Sequence, residues 1–506
     1  MRSQSILFLG IGIALTAALH LSSLEAGHGW GGDFAGYLHQ AHAIAEFAQQ
    51  PLADLVEYRI TYSTTDHMIG PAYYPWGFPL LLSPVVAVLG DSLPAMRILI
   101  IGFLLGIQIV SFFLFRERLP DSWNLVTVFL IGISPALVLL KNHIHSDIPF
   151  WFFTALALLL IDRNVVKVST ARLPVVNQLM IGLCVLAAYS IRTHGLALIP
   201  TLAIVQLIAT AGRQGATGIG DTLRSLRSVP ANWALPYLVI GIGMLVTKTF
   251  GSEGFSSYVS SGHFDFASIG EFVSLIATNT IYYLKLPAEF LATNSILYVA
   301  VFAPLVLFGL FKRLRADYLF VIFVVMHMGI LIVFPYRQGI RFILPTLPFY
   351  LYFGVAGFFA ASRALSETLA GSRRVFQGAF FLLLASCAPV LYASVDSWKE
   401  VVDKKQVLSG PYSVASQEMF GYIDKNLETD SCIVFWKPRV LMFFTGRRSI
   451  LEYEDSRTFD GRCDYILVDK LEAVFPNTAI RDLVDRRGTR LIEQHTNQEL
   501  TLYKIN

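Results

Sequence analysis

The sequence predicts an α-helical, polytopic membrane protein that ends in a small C-terminal α/β domain. Of its 506 residues, 54% are hydrophobic and only 15% are charged, and the mean hydropathy is +0.56. A soluble chain of this size cannot hide so much apolar surface in one core. About eleven apolar segments approach the ~20 residues that a membrane helix needs. Beyond residue 395 the charge rises and the apolar runs shorten, which favours a separate soluble domain.

The first predicted span is a long apolar run without a clear small-residue cleavage site, which favours an uncleaved helix over a signal peptide. Residues 77–90 are too short to cross easily and contain Pro79 and Pro84, so a re-entrant or interfacial segment is predicted there. The predicted spans are residues 5–24, 93–115, 125–140, 148–161, 178–191, 195–211, 233–250, 296–311, 318–334, 342–361 and 375–393.

Lys and Arg predict the orientation, because cytoplasmic loops of membrane proteins are enriched in them. With a cytoplasmic N-terminus, every inside loop is basic, including the pairs Arg116 with Arg118 and Lys312 with Arg313. The sequence thus predicts a multi-pass protein of the plasma or inner membrane whose C-terminal domain is extracytoplasmic. The stretches predicted to share the outer face are residues 25–92, 141–149, 192–194, 251–295, 336–341 and 396–506.

We predict a transmembrane catalytic domain over residues 1–395, with its first outer loop at 25–92, and a soluble domain over 396–506. Short strands are expected at 431–436 and 465–468, a helix at 417–427 and a hairpin over 490–505. Cys432 and Cys463 can pair if this domain is outside the cytoplasm. The net charge of +3 and the lack of a basic tract, a phosphate loop or metal-spaced cysteines argue against nucleic acid and nucleotides.

Asp33 is the first candidate catalytic residue. It follows the first span and two glycines, Gly31 and Gly32, where an amphipathic helix is expected to begin. A carboxylate there can act as a general base toward a hydroxyl or amine acceptor, or it can simply cap the helix. Tyr37 follows at helical spacing and is a candidate substrate-binding residue.

A second cluster lies in the turn that contains His145 and Asp147. The two side chains are one residue apart and can face the same cavity, where Asp147 would bind a divalent cation, orient an acceptor or balance a phosphate. Two groups are too few to define a metal site. The alternative is that Asp147 caps the helix that starts near Pro149.

The first loop resembles a known family. The runs Gly32-Asp33-Phe34-Ala35-Gly36-Tyr37-Leu38 and Tyr74-Pro75-Trp76-Gly77-Phe78-Pro79-Leu80-Leu81-Leu82, followed by Gly90 and Arg97, resemble the polyprenyl-phosphate-dependent GT-C glycosyltransferases. The nearest branch is the bacterial relatives of protein O-mannosyltransferases and lipid A aminoarabinose transferases. The resemblance implies that Asp33 is the catalytic acid of the first loop and that Asp147 is the acidic residue of the next outer turn. The chain departs from both branches: Phe34 replaces a second acid, and Tyr73 and Tyr74 replace a Glu.

The resemblance also covers the run Arg341-Phe342-Ile343-Leu344-Pro345. It implies that Arg341 meets the lipid-phosphate leaving group, and guanidinium binds phosphate in a forked geometry. Arg337 is the second choice for this role, and Arg192 is a parallel candidate at another outer turn. The alternative for each is an interfacial arginine that extends its charge to water.

The predicted function is transfer of a sugar from a polyprenyl-phosphate donor to an extracytoplasmic glycan, lipid or protein acceptor, in contact with membrane lipids. The enzyme would be of the hexosyl- or pentosyltransferase type. No cofactor is required by the sequence, and a divalent cation is left open, with Asp33, Asp147 and His145 as its candidate ligands. The alternatives are a transporter, although the two halves look unalike, and a non-catalytic protein of cell-envelope assembly.

Overall fold

The structure is a computed structural model, and it describes residues 3–31, 33–46, 75–167, 174–215, 221, 230–249, 268–291, 296–368, 373–403, 410–450, 463–470 and 491–505. Residues 47–74, including Tyr73 and Tyr74 of the first-loop resemblance, lie outside the described part. So does residue 32.

Helices dominate the described chain as far as residue 403. They are α1 (Ser3–Leu21), α2 (Asp33–Glu46), α3 (Gly77–Leu89), α4 (Leu93–Phe115), α5 (Asp121–Gly132), α6 (Pro135–Leu140), α7 (Asp147–Ile161), α8 (Val175–Ile191), α9 (Leu198–Arg213), α10 (Leu235–Thr249), α11 (Ile269–Lys285), α12 (Pro287–Phe290), α13 (Ile296–Arg313), α14 (Tyr318–Val333), α15 (Leu347–Thr368), α16 (Arg373–Ala385) and α17 (Cys387–Asp403). Short 3₁₀ helices at Thr193–Ala197 and Gly339–Thr346 lead into α9 and α15.

The apolar runs of the sequence all fall on helices, which confirms the helical membrane fold. Within the described residues, six helical stretches are long and apolar enough to cross a bilayer: Gln4–Leu21, Leu93–Phe115, Asp147–Val166, Thr193–Arg213, Gly339–Thr368 and Arg374–Asp403. Shorter apolar helices include Gly77–Leu89, Val175–Ile191 and Tyr318–Val333. The count of eleven spans stays a prediction, as does the non-crossing character of α3. The described part of the predicted outer stretch 251–295 forms α11 and α12, and α11 packs against α14.

Close helix contacts position the first outer segment. Helix α3 packs along α2 and against α8. A Cβ atom at Gly77 would lie 2.5 Å from the carbonyl oxygen of Ser190, so only glycine lets α3 approach α8 this closely. The ring of Phe78 meets that of Tyr37 edge-on, with centroids 4.9 Å apart. Helix α2 is thereby clamped between α3 and the neighbouring bundle.

Two buried cationic side chains, Arg97 and Lys141, fasten the segment between α1 and α2. The Arg97 guanidinium donates to the carbonyl oxygens of Glu25, Gly27 and Asn142. Lys141 Nζ donates to the Ser23 carbonyl oxygen at 2.5 Å. Buried cations are costly unless they are hydrogen-bonded, and here the backbone carbonyls satisfy them. The segment that precedes Asp33 is therefore held in one conformation.

A second charged cluster joins helix ends at the far end of α4. Arg118 Nη2 lies 2.5 Å from Asp162 Oδ1, and Arg118 Nε lies 2.6 Å from Asp317 Oδ1. Arg313 and the Tyr352 hydroxyl also bond Asp317. Both carboxylates are almost fully buried. This cluster, which we call the inner ion network, ties together the ends of α4, α7, α13 and α14.

The chain ends in a small α/β unit. Its helices are α18 (Val414–Asn426) and α19 (Pro438–Thr445), and its strands are β1 (Cys432–Val434), β2 (Arg448–Ile450), β3 (Tyr465–Asp469), β4 (Leu491–Thr496) and β5 (Leu500–Ile505). The sheet order is β2-β1-β3-β5-β4, with β1 parallel to β2 and β3 and with β5 antiparallel to β3 and β4. The strands around Cys432 and Tyr465, the helix and the terminal hairpin are confirmed. Cys432 and Cys463 form a disulfide.

The C-terminal unit docks on the beginning of α2. The Trp30 ring lies 5.6 Å from Phe435 and 5.5 Å from Trp436, and Phe34 lies 6.5 Å from Phe443. Trp30 and Phe34 are both buried, so this aromatic cluster is a shared core between the two parts of the chain. The predicted domain boundary at residue 395 stays a prediction, and α17 runs through it without a break.

Candidate active site

Asp33 begins α2 and carries the most exposed carboxylate of the cluster, with 31% of its side chain accessible. Its Oδ2 lies 3.6 Å from Arg341 Nη2, and its Oδ1 lies 3.7 Å from Arg439 Nη1. A carboxylate placed between two guanidinium groups does more than cap a helix. The structure thus brings together Asp33 and Arg341, the two residues on which the predicted chemistry depends.

Asp147 is the buried partner of this pair, with only 4% of its side chain accessible. Arg341 Nε donates to its Oδ2 at 2.8 Å, and Arg192 Nη1 donates to its Oδ1. Asp147 is the first residue of α7, and Ser146 occupies the N-cap position without a side-chain capping bond. Two charge-assisted hydrogen bonds occupy both carboxylate oxygens, so the contacts of Asp147 exceed those of a helix cap.

Arg341 links the two acids through one guanidinium group. It lies in the turn Gly339–Thr346, which leads into α15, and 18% of its side chain is accessible. Arg192 ends α8, and its guanidinium lies 5.0 Å from the centre of the Phe342 ring. Three separate turns and the start of α2 therefore converge on one point. These residues are far apart in the sequence, and they meet because the helices that carry the turns pack side by side.

Counted over the described residues, the cluster carries more positive than negative charge. Two carboxylates, Asp33 and Asp147, face three guanidinium groups, Arg192, Arg341 and Arg439. A partly buried surplus of guanidinium is an arrangement suited to a phosphate, whose oxygens match the planar fork of arginine. Asp33, as the more accessible acid, is the one that a substrate can reach.

Tyr37 lies near both acids. Its hydroxyl shares a hydrogen bond of 3.1 Å with Ser146 Oγ. Burial, reinforced by the charge of Asp33, raises the pKa of Tyr37 well above its usual value. The phenol is therefore neutral, and its described contacts join α2 to the turn before α7.

His145 belongs to a group of three histidines. Its ring stacks on His143 with centroids 5.3 Å apart, and His28 lies 6.4 Å from it. Burial lowers the pKa of His145 well below its usual value, and the nearby Arg341 charge adds to this effect. Among the described residues, no three His, Cys, Asp or Glu side chains are arranged to hold a metal ion. The two acids that were candidate ligands are instead paired with guanidinium groups.

Arg337 lies apart from the two acids in its described contacts. Its Nε donates to Asn279 Oδ1 at 2.8 Å, and its guanidinium lies over the Tyr282 ring at 5.2 Å. Both partners belong to α11. Of the three candidate arginines, Arg192 and Arg341 meet the acids, whereas Arg337 fastens α11 to the turn before α15.

Sequence reasoning missed the cations that the C-terminal unit contributes. Arg439 lies in the first turn of α19, and Lys437 occupies the N-cap position of that helix, three residues after the end of β1. Burial lowers the pKa of Lys437, and the Asp33 charge opposes that shift, which places Lys437 near the same carboxylate. The available signal was the position of two cations after a buried strand of a parallel pair, where α/β folds place ligand-binding residues.

Comparisons with known proteins agree with this architecture. No protein-family model matches the sequence, and no curated protein matches it. Among solved structures, ArnT from Cupriavidus metallidurans in the apo state is 13% identical, with a TM-score of 0.60, and the match covers 99% of this chain and 98% of that one. ArnT from the same organism bound to undecaprenyl phosphate is 12% identical, with a TM-score of 0.55. That match covers 99% of this chain and 97% of the other.

The archaeal oligosaccharyltransferase AglB from Archaeoglobus fulgidus, in complex with an inhibitory peptide and a dolichol-phosphate, is 12% identical with a TM-score of 0.57. That match covers 92% of this chain and 69% of the other. Both neighbours are GT-C, polyprenyl-phosphate-dependent glycosyltransferases. This chain has the GT-C fold. The fold predicted from the first loop is thereby confirmed, and AglB has also been solved with Zn and sulfate.

Proposed function

We propose that this GT-C protein is a glycosyltransferase that moves a sugar from a polyprenyl-phosphate donor to an acceptor hydroxyl or amine. The observation that carries the proposal is the single Arg341 guanidinium between an accessible acid, Asp33, and a buried one, Asp147. The fold supports it, because the ArnT and AglB structures contain undecaprenyl phosphate and dolichol-phosphate, respectively. The acceptor would be a glycan, a lipid or a protein.

In the proposed reaction, the bond between sugar C1 and the phosphate oxygen breaks with oxocarbenium character, as in glycoside cleavage. The electron pair of that bond goes to the phosphate, and Arg341 stabilises the developing charge. Asp33 takes the proton of the acceptor, whose oxygen or nitrogen forms the new bond to C1. The products are the glycosylated acceptor and polyprenyl phosphate. One direct displacement inverts the configuration at C1.

Asp147 would set the geometry of the phosphate-binding cation. Because it accepts from both Arg341 and Arg192, it fixes the guanidinium planes before the donor arrives. Preorganised charge of this kind costs no rearrangement during the reaction. Among the described residues, no three His, Cys, Asp or Glu side chains are grouped to hold a metal ion, and the proposed steps use no divalent cation.

Turnover of polyprenyl-phosphate sugars tests the proposal. The purified protein is incubated in lipid nanodiscs with a panel of donors and an acceptor-rich envelope extract, and released polyprenyl phosphate is measured. We expect release with at least one donor. Asp33→Asn should reduce the rate by about 10²–10⁴-fold, the usual share of a general base. Arg341→Ala should reduce it by about 10²–10³-fold, as for the loss of one oxyanion donor.

Arg337→Ala is the matched control, because Arg337 lies in the same turn but contacts α11 rather than the acids. It should retain most of the wild-type rate. No turnover of any donor by the wild-type protein would contradict the proposed function. Without such turnover, an envelope-assembly or transport role would be the better explanation. Equal, non-zero rates for the Asp33→Asn variant and the wild type would show that Asp33 is not the general base.

A further inference from the structure

The contact between Arg439 and Asp33 gives the C-terminal domain a part in the site. The two oxygens of Asp33 face different guanidinium groups. Oδ2 faces Arg341 of the transmembrane bundle, and Oδ1 faces Arg439 of the C-terminal unit. Only 15% of the Arg439 side chain is accessible. A cation this far from water is costly unless it is paired, and the acid it approaches is the proposed base.

The backbone of Arg439 is held firmly on both sides. Helix α19 packs directly on α2. Phe443, one turn further along α19, meets the rings of Phe34 and His39 with centroids 6.5 and 5.2 Å away. Phe444 packs inward against Phe420 of α18 at 5.1 Å. The reach of Arg439 toward Asp33 is therefore determined by how the C-terminal unit docks.

We propose that Arg439 is a positioning residue for glycosyl transfer, which holds one oxygen of Asp33 while Arg341 holds the other. The inference rests on the proposed function. Both nitrogen–oxygen distances exceed those of a hydrogen bond, so the two cations orient the carboxylate by charge from opposite sides. A general base must present its oxygen to the acceptor proton in a narrow geometry. Docking of the C-terminal domain then completes the site.

Kinetics of Arg439 variants in nanodiscs test this assignment. Arg439→Gln removes the charge and should lower kcat by about 10–10²-fold, the range expected when a reacting group is misplaced by about 1 Å. The KM for the donor should stay within about twofold, because the donor phosphate is assigned to Arg341. Arg439→Lys keeps the charge and should recover a large part of the lost rate. Arg448→Ala, an exposed arginine of the neighbouring strand β2, should behave as the wild type.

The outcomes separate the possible roles. An Arg439→Gln rate equal to that of Arg448→Ala overturns the inference and leaves the proposed function intact. Equal rate losses in Arg439→Gln and Arg439→Lys, each with a lower unfolding temperature, also overturn it, because they indicate packing alone. Absence of turnover in the wild-type protein overturns the proposed function, and this inference with it.

Discussion

Asp147 is the residue on which the site's geometry depends most. It is almost fully buried and binds Arg192 and Arg341 at once. Breaking a buried pair leaves a charge without its partner, which costs about 3–5 kcal/mol. Burial therefore makes this acid valuable for stability as well as for positioning. The exposed acid, Asp33, has weaker contacts and is the one available for chemistry.

We expect Asp147→Ala to lower the free energy of unfolding by roughly 3 kcal/mol, because two guanidinium groups lose their shared anion. Chemical denaturation in detergent measures this change. Adding Arg192→Gln should cost less in the Asp147→Ala background than in the wild type, since residues in contact are energetically coupled. Glu367→Ala is the control, because Glu367 and its partner Arg363 are both about 70% exposed, and exposed pairs contribute about 0–1 kcal/mol. Additive effects of Asp147→Ala and Arg192→Gln would contradict the shared contact.

His28 makes stability depend on pH. Its Nδ1 bonds the Gly29 carbonyl oxygen at 2.8 Å, and its Nε2 accepts from the Ile144 N–H at 3.1 Å. The bond that Nε2 accepts requires the neutral ring, with its proton on Nδ1. Burial lowers the pKa of His28 to about 3 from the usual 6.5. Below pH 6.5 the unfolded chain binds a proton that the native state does not, so stability is complete above that pH and falls as the pH decreases.

The unfolding temperature in detergent should therefore decrease between pH 7 and pH 5. The loss from His28 amounts to at most about 1.4 kcal/mol per pH unit. His28→Asn should be less stable at pH 8 but show a smaller decrease toward pH 5. A wild-type slope in His28→Asn would show that other groups account for the acid sensitivity.

At the scale of the elements, the inner ion network holds the helix ends opposite the site. Arg118 bonds two buried acids that come from different helix ends. Arg118→Ala should destabilise the protein by about 3–5 kcal/mol, because it leaves Asp162 and Asp317 with fewer cations. Arg363→Ala is the control, since Arg363 pairs with Glu367 and both side chains are about 70% exposed. It should change stability by less than about 1 kcal/mol.

Chemical denaturation compares the two variants, and turnover per folded molecule should be unchanged in both. A comparable stability loss for Arg118→Ala and Arg363→Ala would mean that the network contributes no more than a surface pair. A loss of turnover without a loss of stability in Arg118→Ala would connect the network to the reaction instead.

The helix positions could be predicted because a helix that crosses the hydrocarbon core of a bilayer needs a long run of apolar residues. The breaks inside those runs were missed. The predicted span at 125–140 is two helices, with Pro135 starting the second, a position that proline favours. The predicted span at 375–393 is also two helices, because Pro389 cannot donate to the Ala385 carbonyl. Local chemistry explains both breaks once the structure shows them.

The site was predictable only in part, for a different reason. The pairing of Asp33 with Arg341 was predicted from the chemistry of the two groups and from the family resemblance. Neither argument pointed to Arg439. Its contact with Asp33 spans about 400 residues of sequence and depends on how one domain docks on another. Neither hydrophobic periodicity nor secondary-structure propensity predicts how two domains dock. The aromatic residues around Trp30 that form the docking contact can be read in the sequence, but their contact cannot.

For the whole molecule, membrane orientation is the remaining structural prediction. The basic loops place the N-terminus and the inner ion network on the cytoplasmic side. The Cys432–Cys463 disulfide supports this orientation independently, because such bonds persist in oxidising compartments. The site and the C-terminal domain would then lie outside, where a lipid-linked sugar and an envelope acceptor can meet.

Thiol labelling can determine this orientation. Single cysteines are introduced as Glu428→Cys, at an exposed site just before β1, and as Glu367→Cys, at the exposed end of α15. The native Cys184 and Cys387 are buried, and the other two are bonded, so background labelling should be low. In right-side-out vesicles, a membrane-impermeant maleimide should label the Glu428→Cys variant directly and the Glu367→Cys variant only after permeabilisation. The reverse pattern would place Asp33 and Arg341 in the cytoplasm. An extracytoplasmic acceptor could then no longer reach the base.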